Sequence, residues 1–262
     1  MQALYIASTG MMAQELNVEV ISNNIANLRT AGFKRQRAEF QDLLYQDLRR
    51  VGSETSEQGT LVPSGVQIGS GVMTAATPRI MSQGSITPTE KELDMAISGT
   101  GFFQIQLPDG GTAYTRAGTF ERNANGTMVT ADGFTVEPGI TIPNNARDVT
   151  ISADGTVQAF LGTGTSAQVL GRIELARFAN QSGLQAIGDN LFLETASSGA
   201  SIAGNPGDQG FGTVRQGYIE IANVNSVTEI SDLISAQRAY EMNSRVVRAA
   251  DEMMSTTSQM IR

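Results

Sequence analysis

The two ends of the chain carry the longest helical patterns in the sequence, and this arrangement most constrains its fold. Near the N-terminus, residues recur on one helix face at alternating intervals of three and four from Leu4 to Leu28, and only Gln14 among them is polar. Near the C-terminus the same alternation runs from Leu233 to Ile261. Such spacing is typical of helices that pack lengthwise against other helices. The sequence therefore predicts a long amphipathic helix at each end.

The seam of each predicted helix is the set of positions expected to contact other helices. The first helix should stop before Gly32, because glycine commonly follows a helix. Ser226 and Glu229 fit a capping box, which predicts that the second helix begins near Val227 and runs almost to Arg262. The seam residues are Leu4, Met11, Val18, Ile21, Ile25, Leu28, Leu233, Tyr240, Val247, Met254 and Ile261.

Periodicity alone leaves the partners of these helices open. They can pack as an antiparallel pair or against the middle of their own chain. They can also contact other copies of the protein, because a lone pair of helices leaves much apolar surface in water, and such surface usually marks an assembly site.

The middle of the chain, from about residue 67 to residue 217, has the pattern of a β-rich region. Short runs of strand-forming residues are separated by turn dipeptides that contain glycine. The clearest are Asp109-Gly110, Asn125-Gly126, Asp132-Gly133 and Asp154-Gly155. We predict closely spaced antiparallel hairpins, followed by an irregular Gly-, Ala- and Ser-rich loop over residues 197–212.

The stretch of residues 45–65 separates the first helix from the β-rich middle. It is polar and has no consistent period. Composition alone therefore predicts a flexible linker or long loop.

Composition also argues against several classes of function. The chain has no Cys and no His, so the thiolate nucleophile, the commonest general base and the commonest transition-metal ligand are absent. The Gly-rich run at residues 162–167 precedes a strand pattern instead of the helix that a dinucleotide requires. We expect no catalytic residues, no cofactor and no bound metal.

Charge and hydropathy bear on two further kinds of partner. The formal net charge is −8, from 18 Lys and Arg against 26 Asp and Glu, so we expect no nucleic-acid surface. The first cationic side chain is Arg29, and no apolar run approaches the ~18 residues of a membrane span. We therefore expect neither a cleaved secretory signal nor insertion into a membrane.

Two long motifs stand near opposite ends of the chain. They are "NNIANLRTAGFKRQRAEF" at residues 23–40 and "GYIEIANVNSVTEISDLISAQRAYEMNSRVV" at residues 217–247. Both resemble the terminal signatures of the flagellar rod and hook family of axial proteins. The segment at residues 98–133 is also similar to that family, so the resemblance covers nearly the whole chain. The motif residues are Asn23, Asn24, Asn27, Gly32, Phe33, Lys34, Asn223, Asn225, Glu229, Gln237, Arg238, Tyr240, Glu241 and Asn243.

The resemblance implies an α+β fold in which the N- and C-terminal α-helices pair as a coiled coil and the β-rich centre consists of short antiparallel strands and hairpins. It implies a helical core domain at residues 1–32 and 224–262, an extended linking region at 33–70, and a β-rich outer domain at 71–223. In its length and in its polar insert at residues 45–69, the chain most resembles the distal rod subunits of the family. The resemblance implies that this insert is ordered in the assembly and stiffens it. The stiffening residues are then Gln46, Glu54, Glu57, Leu61, Pro63 and Gly65.

The function that the resemblance implies is structural, without enzymatic activity. The chain would polymerise into the rigid helical tube of the distal rod and transmit motor torque to the hook. Its partners would be further copies of itself, proximal rod proteins, hook or hook-junction proteins, and the surrounding P and L ring proteins. It would lie in the basal body, where the rod crosses the periplasm, after flagellar type III export without a cleaved signal peptide.

Other interpretations stand beside this one. A proximal rod or hook subunit of the same family would share the terminal motifs. A monomeric β-rich binding or adhesin module with a helical stalk would remain a soluble monomer at every concentration. An enzyme would have to work through carboxylates, Lys, Tyr or Ser alone.

Overall fold

A computed structural model describes residues 2–49, 64–162 and 167–260 of the chain. The described residues form two long helices, one short 3₁₀ helix and twenty short strands, so the predicted α+β class is confirmed. The chain divides into two compact units. The first contains Met1–Ile25, Gln36–Pro78 and Asn225–Arg262, and the second contains Ala26–Arg35 and Arg79–Val224.

Both predicted helices are present, in the first unit. Helix α1 spans Gln2–Ala26 and helix α2 spans Ser226–Met260. Helix α1 ends before Gly32, as predicted, but two residues short of the last seam position, Leu28. The chain turns there because the carbonyl and the side-chain oxygen of Asn27 accept hydrogen bonds from the amide and the hydroxyl of Thr30.

The first unit also contains two antiparallel pairs of strands. Its strands are β1 (Glu39–Asp42), β2 (Tyr45–Arg49), β3 (Val66–Gly69) and β4 (Val72–Ala76). Strand β1 pairs with β4, and β2 pairs with β3. The loop expected from composition is therefore wrong for β2, which is a strand paired with β3. Four of the stiffening residues, Glu54, Glu57, Leu61 and Pro63, lie outside the described residues.

The second unit is the predicted β-rich region. Its strands are β5 (Ile86–Pro88), β6 (Met95–Ser98), β7 (Phe102–Gln106), β8 (Thr112–Thr115), β9 (Phe120–Arg122), β10 (Met128–Thr130), β11 (Thr135–Val136), β12 (Ala146–Ile151), β13 (Thr156–Leu161), β14 (Ala167–Arg172), β15 (Leu175–Arg177), β16 (Gln185–Gly188), β17 (Leu191–Leu193), β18 (Ile202–Gly204), β19 (Thr213–Gln216) and β20 (Tyr218–Glu220). The 3₁₀ helix is Gln181–Gly183.

These strands form one large sheet and several small ones, all antiparallel. The large sheet has nine strands in the order β16-β17-β8-β7-β11-β10-β9, with β15 also on β7 and β18 on β15. A second sheet has the order β12-β13-β14, and β6 pairs with β19 and β5 with β20. Strand β14 begins at Ala167, the last residue of the Gly-rich run, as the strand pattern after that run predicts. Residues 163–166 lie outside the described part.

The predicted hairpin turns are confirmed. Gly110, Gly126, Gly133 and Gly155 all have positive φ angles, between 82° and 89°. They lie in the turns of the β7–β8, β9–β10, β10–β11 and β12–β13 hairpins. The irregular loop predicted for residues 197–212 is wrong in part, because it contains β18, which pairs with β15.

Strand β7 lies at the centre of the core because both of its faces are buried. Successive side chains of a strand point to opposite sides, so Phe103 and Phe102 enter different clusters. Phe103 packs edge-on against Phe120, 5.2 Å between ring centres, in the main aliphatic core. Phe102 joins Phe178 and Phe192 in an aromatic cluster on the other face.

Candidate assembly interface

The two long helices pack against each other in antiparallel orientation. The side-chain amide of Asn24 donates a hydrogen bond to Glu229, 3.1 Å away. Near the other end of α1, a Cβ atom on Gly10 would lie 2.8 Å from the side-chain nitrogen of Asn243. Residues later in α1 therefore contact residues earlier in α2, as expected for antiparallel helices. At Gly10 the absence of a side chain lets the two helices approach closely.

The contact buries a stripe of small and polar residues on α2. Glu229, Ala236 and Ala250 are buried, and Asn243 is half-buried. These four positions are seven residues apart, so they lie on one face of the helix. The matching buried residues of α1 are Ala7, Ala13, Val20, Ile21 and Asn24.

The larger seam residues of α2 are covered much less well. Tyr240 and Met254 each remain 43% exposed, whereas Ala236 and Ala250 retain only 3% and 7%. Leu233 and Val247 are half-buried. The chain thus buries the small side chains of the helix–helix contact and leaves the larger seam residues of α2 partly in contact with solvent. Ile261 lies outside the described residues.

The seam of α1 shows a similar partial burial. Ile21 is buried, and the other described seam positions are half-buried. Leu28 lies in the turn after the helix instead of within it. The half-buried seam positions of this end are Leu4, Met11, Val18, Ile25 and Leu28.

A groove of about 610 Å³ runs along the helix pair beside the seam. Val18 and Tyr240 supply its apolar surface. Three carboxylates and one amide complete its lining, so an apolar floor is combined with an acidic rim. The lining residues are Glu15, Val18, Glu19, Gln237, Tyr240 and Glu241.

The N-terminus of α2 is capped by Asn225. Its side-chain oxygen accepts hydrogen bonds from the amides of Val227 and Thr228, at 3.0 and 3.2 Å. The predicted capping box of Ser226 and Glu229 is therefore wrong. Glu229 instead lies buried beneath the Asn24 amide, because the cap position is one residue earlier than the sequence pattern indicated.

The asparagines near the end of α1 hold the chain that follows the helix. Asn24 both accepts a hydrogen bond from the amide of Gln36, at 2.9 Å, and donates one to its carbonyl, at 2.8 Å. Asn23 donates to the Gln36 side chain. Asn24 is polar but buried. Its own two hydrogen bonds to Gln36 compensate the cost of removing its side-chain amide from water.

In the second unit, the side chain of Asn223 likewise forms hydrogen bonds to the backbone of distant segments. Its oxygen accepts a hydrogen bond from the amide of Arg35, at 2.7 Å, and its nitrogen donates to the carbonyls of Ile80 and Ser82, at 2.7 and 3.0 Å. One side chain thus joins three backbone segments. Phe33 is half-buried and lines a small cavity of about 230 Å³ that also includes Asn27 and Arg79.

Gly32 is required by a close approach of backbone. Its φ angle is +70°, and a Cβ atom there would lie 2.3 Å from the amide nitrogen of Ala117. Its own amide donates to the carbonyl of Glu220, at 2.8 Å. No other residue type fits this position without displacing the backbone beside it.

Lys34 belongs to a fully buried ion cluster. Its ammonium lies 2.6 Å from Glu220, whose other oxygen lies 3.3 Å from the guanidinium of Arg116. Glu220 also accepts a hydrogen bond from the amide of Gly84. Burial lowers the pKa of Lys34 and that of Arg116, and Glu220 opposes both shifts. Sequence reasoning found Lys34 but missed Glu220 and Arg116; the lone carboxylate in the apolar run "YIEIA" was the available signal.

Eleven of the fourteen motif residues fall into two sets. The first set makes contacts within the chain, including the turn after α1 and the cap of α2. This set is Asn24, Asn27, Gly32, Lys34, Asn223, Asn225 and Glu229. Four residues near the middle of α2 have exposed side chains instead, and three of them line the groove. This exposed set is Gln237, Arg238, Tyr240 and Glu241.

The ribbon formed by β2 and β3 is a second exposed surface. All five residues of β2 are exposed, including Tyr45 and Leu48. Gln46 accepts a hydrogen bond from Gln2, at 3.2 Å, and Gly65 is half-buried just before β3. Neither edge of this ribbon pairs with another described strand, so its apolar side chains are a suitable template for contact with another chain.

Two kinds of feature are absent from the described residues. No helix among them has the length and hydropathy to cross a membrane. Within residues 2–49, 64–162 and 167–260, no group of three or more acidic, His or Cys side chains is placed to hold a metal ion.

Three family models match the chain in order. Residues 4–34 match the flagella basal body rod protein model, residues 96–159 the flagellar hook protein FlgE/F/G D1 domain, and residues 215–260 the C-terminal model of the flagellar basal body rod FlgEFG protein. These models cover the α1 region, much of the β-rich unit, and α2.

Whole-length relatives agree with these matches. The chain is 58% identical to the flagellar basal-body rod protein FlgG of Caulobacter vibrioides, over 99% of both chains. It is 51% identical to FlgG of Agrobacterium fabrum, again over 99% of both. It is 33% identical to the rod protein FlgF of Caulobacter vibrioides, over 99% of this chain and 95% of the relative.

Proposed function

We propose that this chain, which belongs to the family of flagellar basal-body rod and hook proteins, is a structural subunit of the distal rod that polymerises into a rigid helical tube and transmits motor torque to the hook. The observation that carries the proposal is the incomplete burial of the α2 seam. Tyr240 and Met254 remain 43% exposed beside alanines that are almost fully covered. A helix face that is half covered by its own chain gains further burial when another copy covers the rest.

The mode of assembly follows from the asymmetry of these surfaces. The seam, together with the acidic groove that Val18 and Tyr240 of the seam line, is a different surface from the β2–β3 ribbon. A contact between these two surfaces on successive copies is therefore heterologous. Heterologous contacts that do not close a ring generate an open helical polymer. In this proposal residues 1–32 and 224–262 form the helical core of the tube, residues 33–70 link neighbouring subunits, and residues 71–223 form the outer domain.

A proximal rod or hook subunit is the less favoured alternative. Within one organism, the identity to the FlgG relative is 58% and that to the FlgF relative is 33%, over nearly the same length. The difference supports a distal rod role for this chain.

The proposal includes a location and partners. The subunit lies in the basal body, where the rod crosses the periplasm after export without a cleaved signal peptide. It contacts proximal rod proteins at one end of the distal rod, hook or hook-junction proteins at the other, and P and L ring proteins around it. The resemblance of both terminal motifs to axial proteins supports these assignments.

Electron microscopy of the purified, concentrated protein tests the proposal. Straight tubes are expected, and soluble monomers at every concentration would contradict it. The variant Met254→Glu should raise the critical concentration for assembly by more than about tenfold, since an unpaired carboxylate is costly to bury. Ser255→Glu adds the same charge at an adjacent exposed position away from the seam and serves as the control. Equal assembly by both variants would exclude the seam as an interface.

A further inference from the structure

Helix α2 carries a second apolar stripe that is separate from the seam. It consists of Met242, Val246, Ala249, Met253 and Met260. All five residues are exposed, and the four larger ones retain 59%, 48%, 64% and 83% of their surface. At ~100° per residue, this stripe lies roughly 100° around the helix from the buried stripe that contacts α1. The intramolecular helix pair therefore leaves it in solvent.

Helix α1 also has an exposed stripe, made of two large apolar side chains with a small one between them. Tyr5 and Met12 are 57% and 66% exposed, and Ser8 between them is exposed as well. The spacing of three and four residues places all three on one face. That face points away from α2, because the residues of α1 that contact α2 lie on the opposite side.

The two stripes match in length when the helices run in opposite directions. Tyr5 and Met12 are seven residues apart, and so are Met253 and Val246, which is about 10 Å along either helix. If Tyr5 covers Met253, then Met12 covers Val246. Ser8 then faces Ala249, where two small side chains permit close approach. The serine hydroxyl stays satisfied there, because a helical serine can donate to the carbonyl four residues before it.

Charge favours the same antiparallel register. Residues 1–28 contain Glu15 and Glu19 and no Lys or Arg. Both carboxylates are exposed and lie one to two turns beyond Met12 on the side of the α1 stripe. In this register Glu19 comes to the level of Arg238, whose exposed side chain borders the α2 stripe, and Glu15 approaches Arg245. Opposite charges at such positions select orientation and register.

The parallel alternative is less favourable. When Tyr5 covers Met242 with the helices parallel, Glu15 reaches the level of Glu252. These two carboxylates lie on opposite sides of such a contact, and residues 249–260 contain no Lys or Arg to pair with Glu15 or Glu19. The parallel arrangement therefore lacks the opposite charges that the antiparallel one brings together.

We propose that the exposed α2 stripe docks, in antiparallel orientation, the exposed α1 stripe of a second copy of this chain. The contact rests on the proposed function, because it is one of the contacts that build the polymer, and it is separate from the seam. It joins two different surfaces of successive copies, so each added copy presents a fresh α2 stripe and the interaction propagates.

Disulfide trapping tests this contact directly, because the full-length chain has no native cysteine. Two single variants, Met12→Cys and Val246→Cys, are mixed, assembled and oxidised. Each chain then carries one thiol, so any disulfide joins two copies, and peptide mass spectrometry identifies a mixed 12–246 link. The control mixes Met12→Cys with Arg248→Cys, which places the thiol at nearly the same level of α2 but on another face.

The proposal predicts that the mixed 12–246 link exceeds the 12–248 link by at least about tenfold in sedimented polymer. Equal yields in polymer that forms normally would overturn the contact and leave the proposed function intact. Failure of the unmodified chain to form polymer at any concentration would overturn both.

Charge exchange provides a second test that does not depend on thiols. Glu19→Arg and Arg238→Glu should each raise the critical concentration by about three- to tenfold, and the double variant should recover most of the loss. The control Arg248→Glu should not be rescued by Glu19→Arg. Absence of rescue in the first pair would contradict the antiparallel register.

Discussion

At the scale of single residues, the buried cluster of Lys34, Glu220 and Arg116 is the feature whose loss should cost most. Two cations share one carboxylate inside the second unit, at 2.6 and 3.3 Å. A buried pair adds little compared with apolar packing, but removal of one partner leaves the others without compensation. Glu220 is therefore the critical member, because both cations depend on it.

Glu220→Gln is expected to lower the free energy of unfolding by about 3–5 kcal/mol, since it leaves two buried cations without an anion. Urea unfolding of the dilute protein measures the change. The matched control is Glu121→Gln, which removes the exposed pair with Lys91, at 3.0 Å, and should lower the free energy of unfolding far less, because solvent screens this pair. If the two variants lose similar amounts of unfolding free energy, burial does not determine how much the cluster contributes to stability.

Only some of these single-residue contacts could be predicted from the sequence. Lys34, Asn24 and Asn223 belong to motifs that the resemblance singles out, but their partners are not evident from one sequence. Lys34 and Glu220 are 186 positions apart, and only the fold brings them together. Gly32 was predicted as a residue that follows a helix; its actual constraint is the backbone of Ala117, which no local pattern reveals.

At the scale of elements, helix α2 shows how small differences in register change a role. The pattern of Ser226 and Glu229 indicates a capping box, yet Asn225 accepts the first amides of the helix. Glu229 lies under Asn24 at the helix–helix contact. A one-residue shift in the cap thus places a carboxylate in the buried stripe.

Asn225→Ala should raise the critical concentration for assembly by roughly fivefold, because loss of an N-cap costs about 1 kcal/mol of helix stability. Ser226→Ala is the matched control and should change it by less than about twofold. Sedimentation over a range of protein concentrations measures both. If the serine variant has the larger effect, the cap assignment is incorrect.

Hairpins were the elements best predicted from sequence. Asp-Gly and Asn-Gly dipeptides require positive φ at glycine, and this local requirement fixes where the chain reverses. The order of strands in the nine-stranded sheet was not predictable, because pairing such as β15 with β7 and β18 depends on packing between distant segments. Strand β18 escaped prediction because its Gly- and Ala-rich surroundings provide no hydrophobic period.

At the scale of the whole molecule, the exposed surfaces of the first unit have a common property. The seam, the α2 stripe and the β2–β3 ribbon all carry apolar side chains that the described part of the chain does not cover fully. The sequence predicted the positions of the seam residues along the helices. It did not predict the α2 stripe, because no residue of that stripe belongs to the alternating three- and four-residue pattern of the seam. The burial of alanines in preference to larger seam residues required the structure.

Deletion of residues 46–65 is expected to leave a chain that folds and assembles, but into a more flexible tube. Every residue of β2 is exposed, so removal of most of this strand does not open a core. It does remove a surface proposed to stiffen the polymer by contact with neighbouring subunits. Electron microscopy of the shortened and full-length tubes compares their curvature. Failure of the shortened chain to fold would place the stretch in the core and contradict a stiffening role.

We expect the terminal helices to become stable only when neighbouring copies cover them, because their own chain leaves part of both seams exposed. Hydrogen exchange of α1 and α2 in dilute monomer and in polymer tests it most directly, with the strands of the β-rich unit as an internal reference. We predict rapid exchange of residues 4–28 in the monomer, slow exchange of the same residues in the polymer, and slow exchange of β7 in both. Slow exchange of residues 4–28 in the dilute monomer would contradict it.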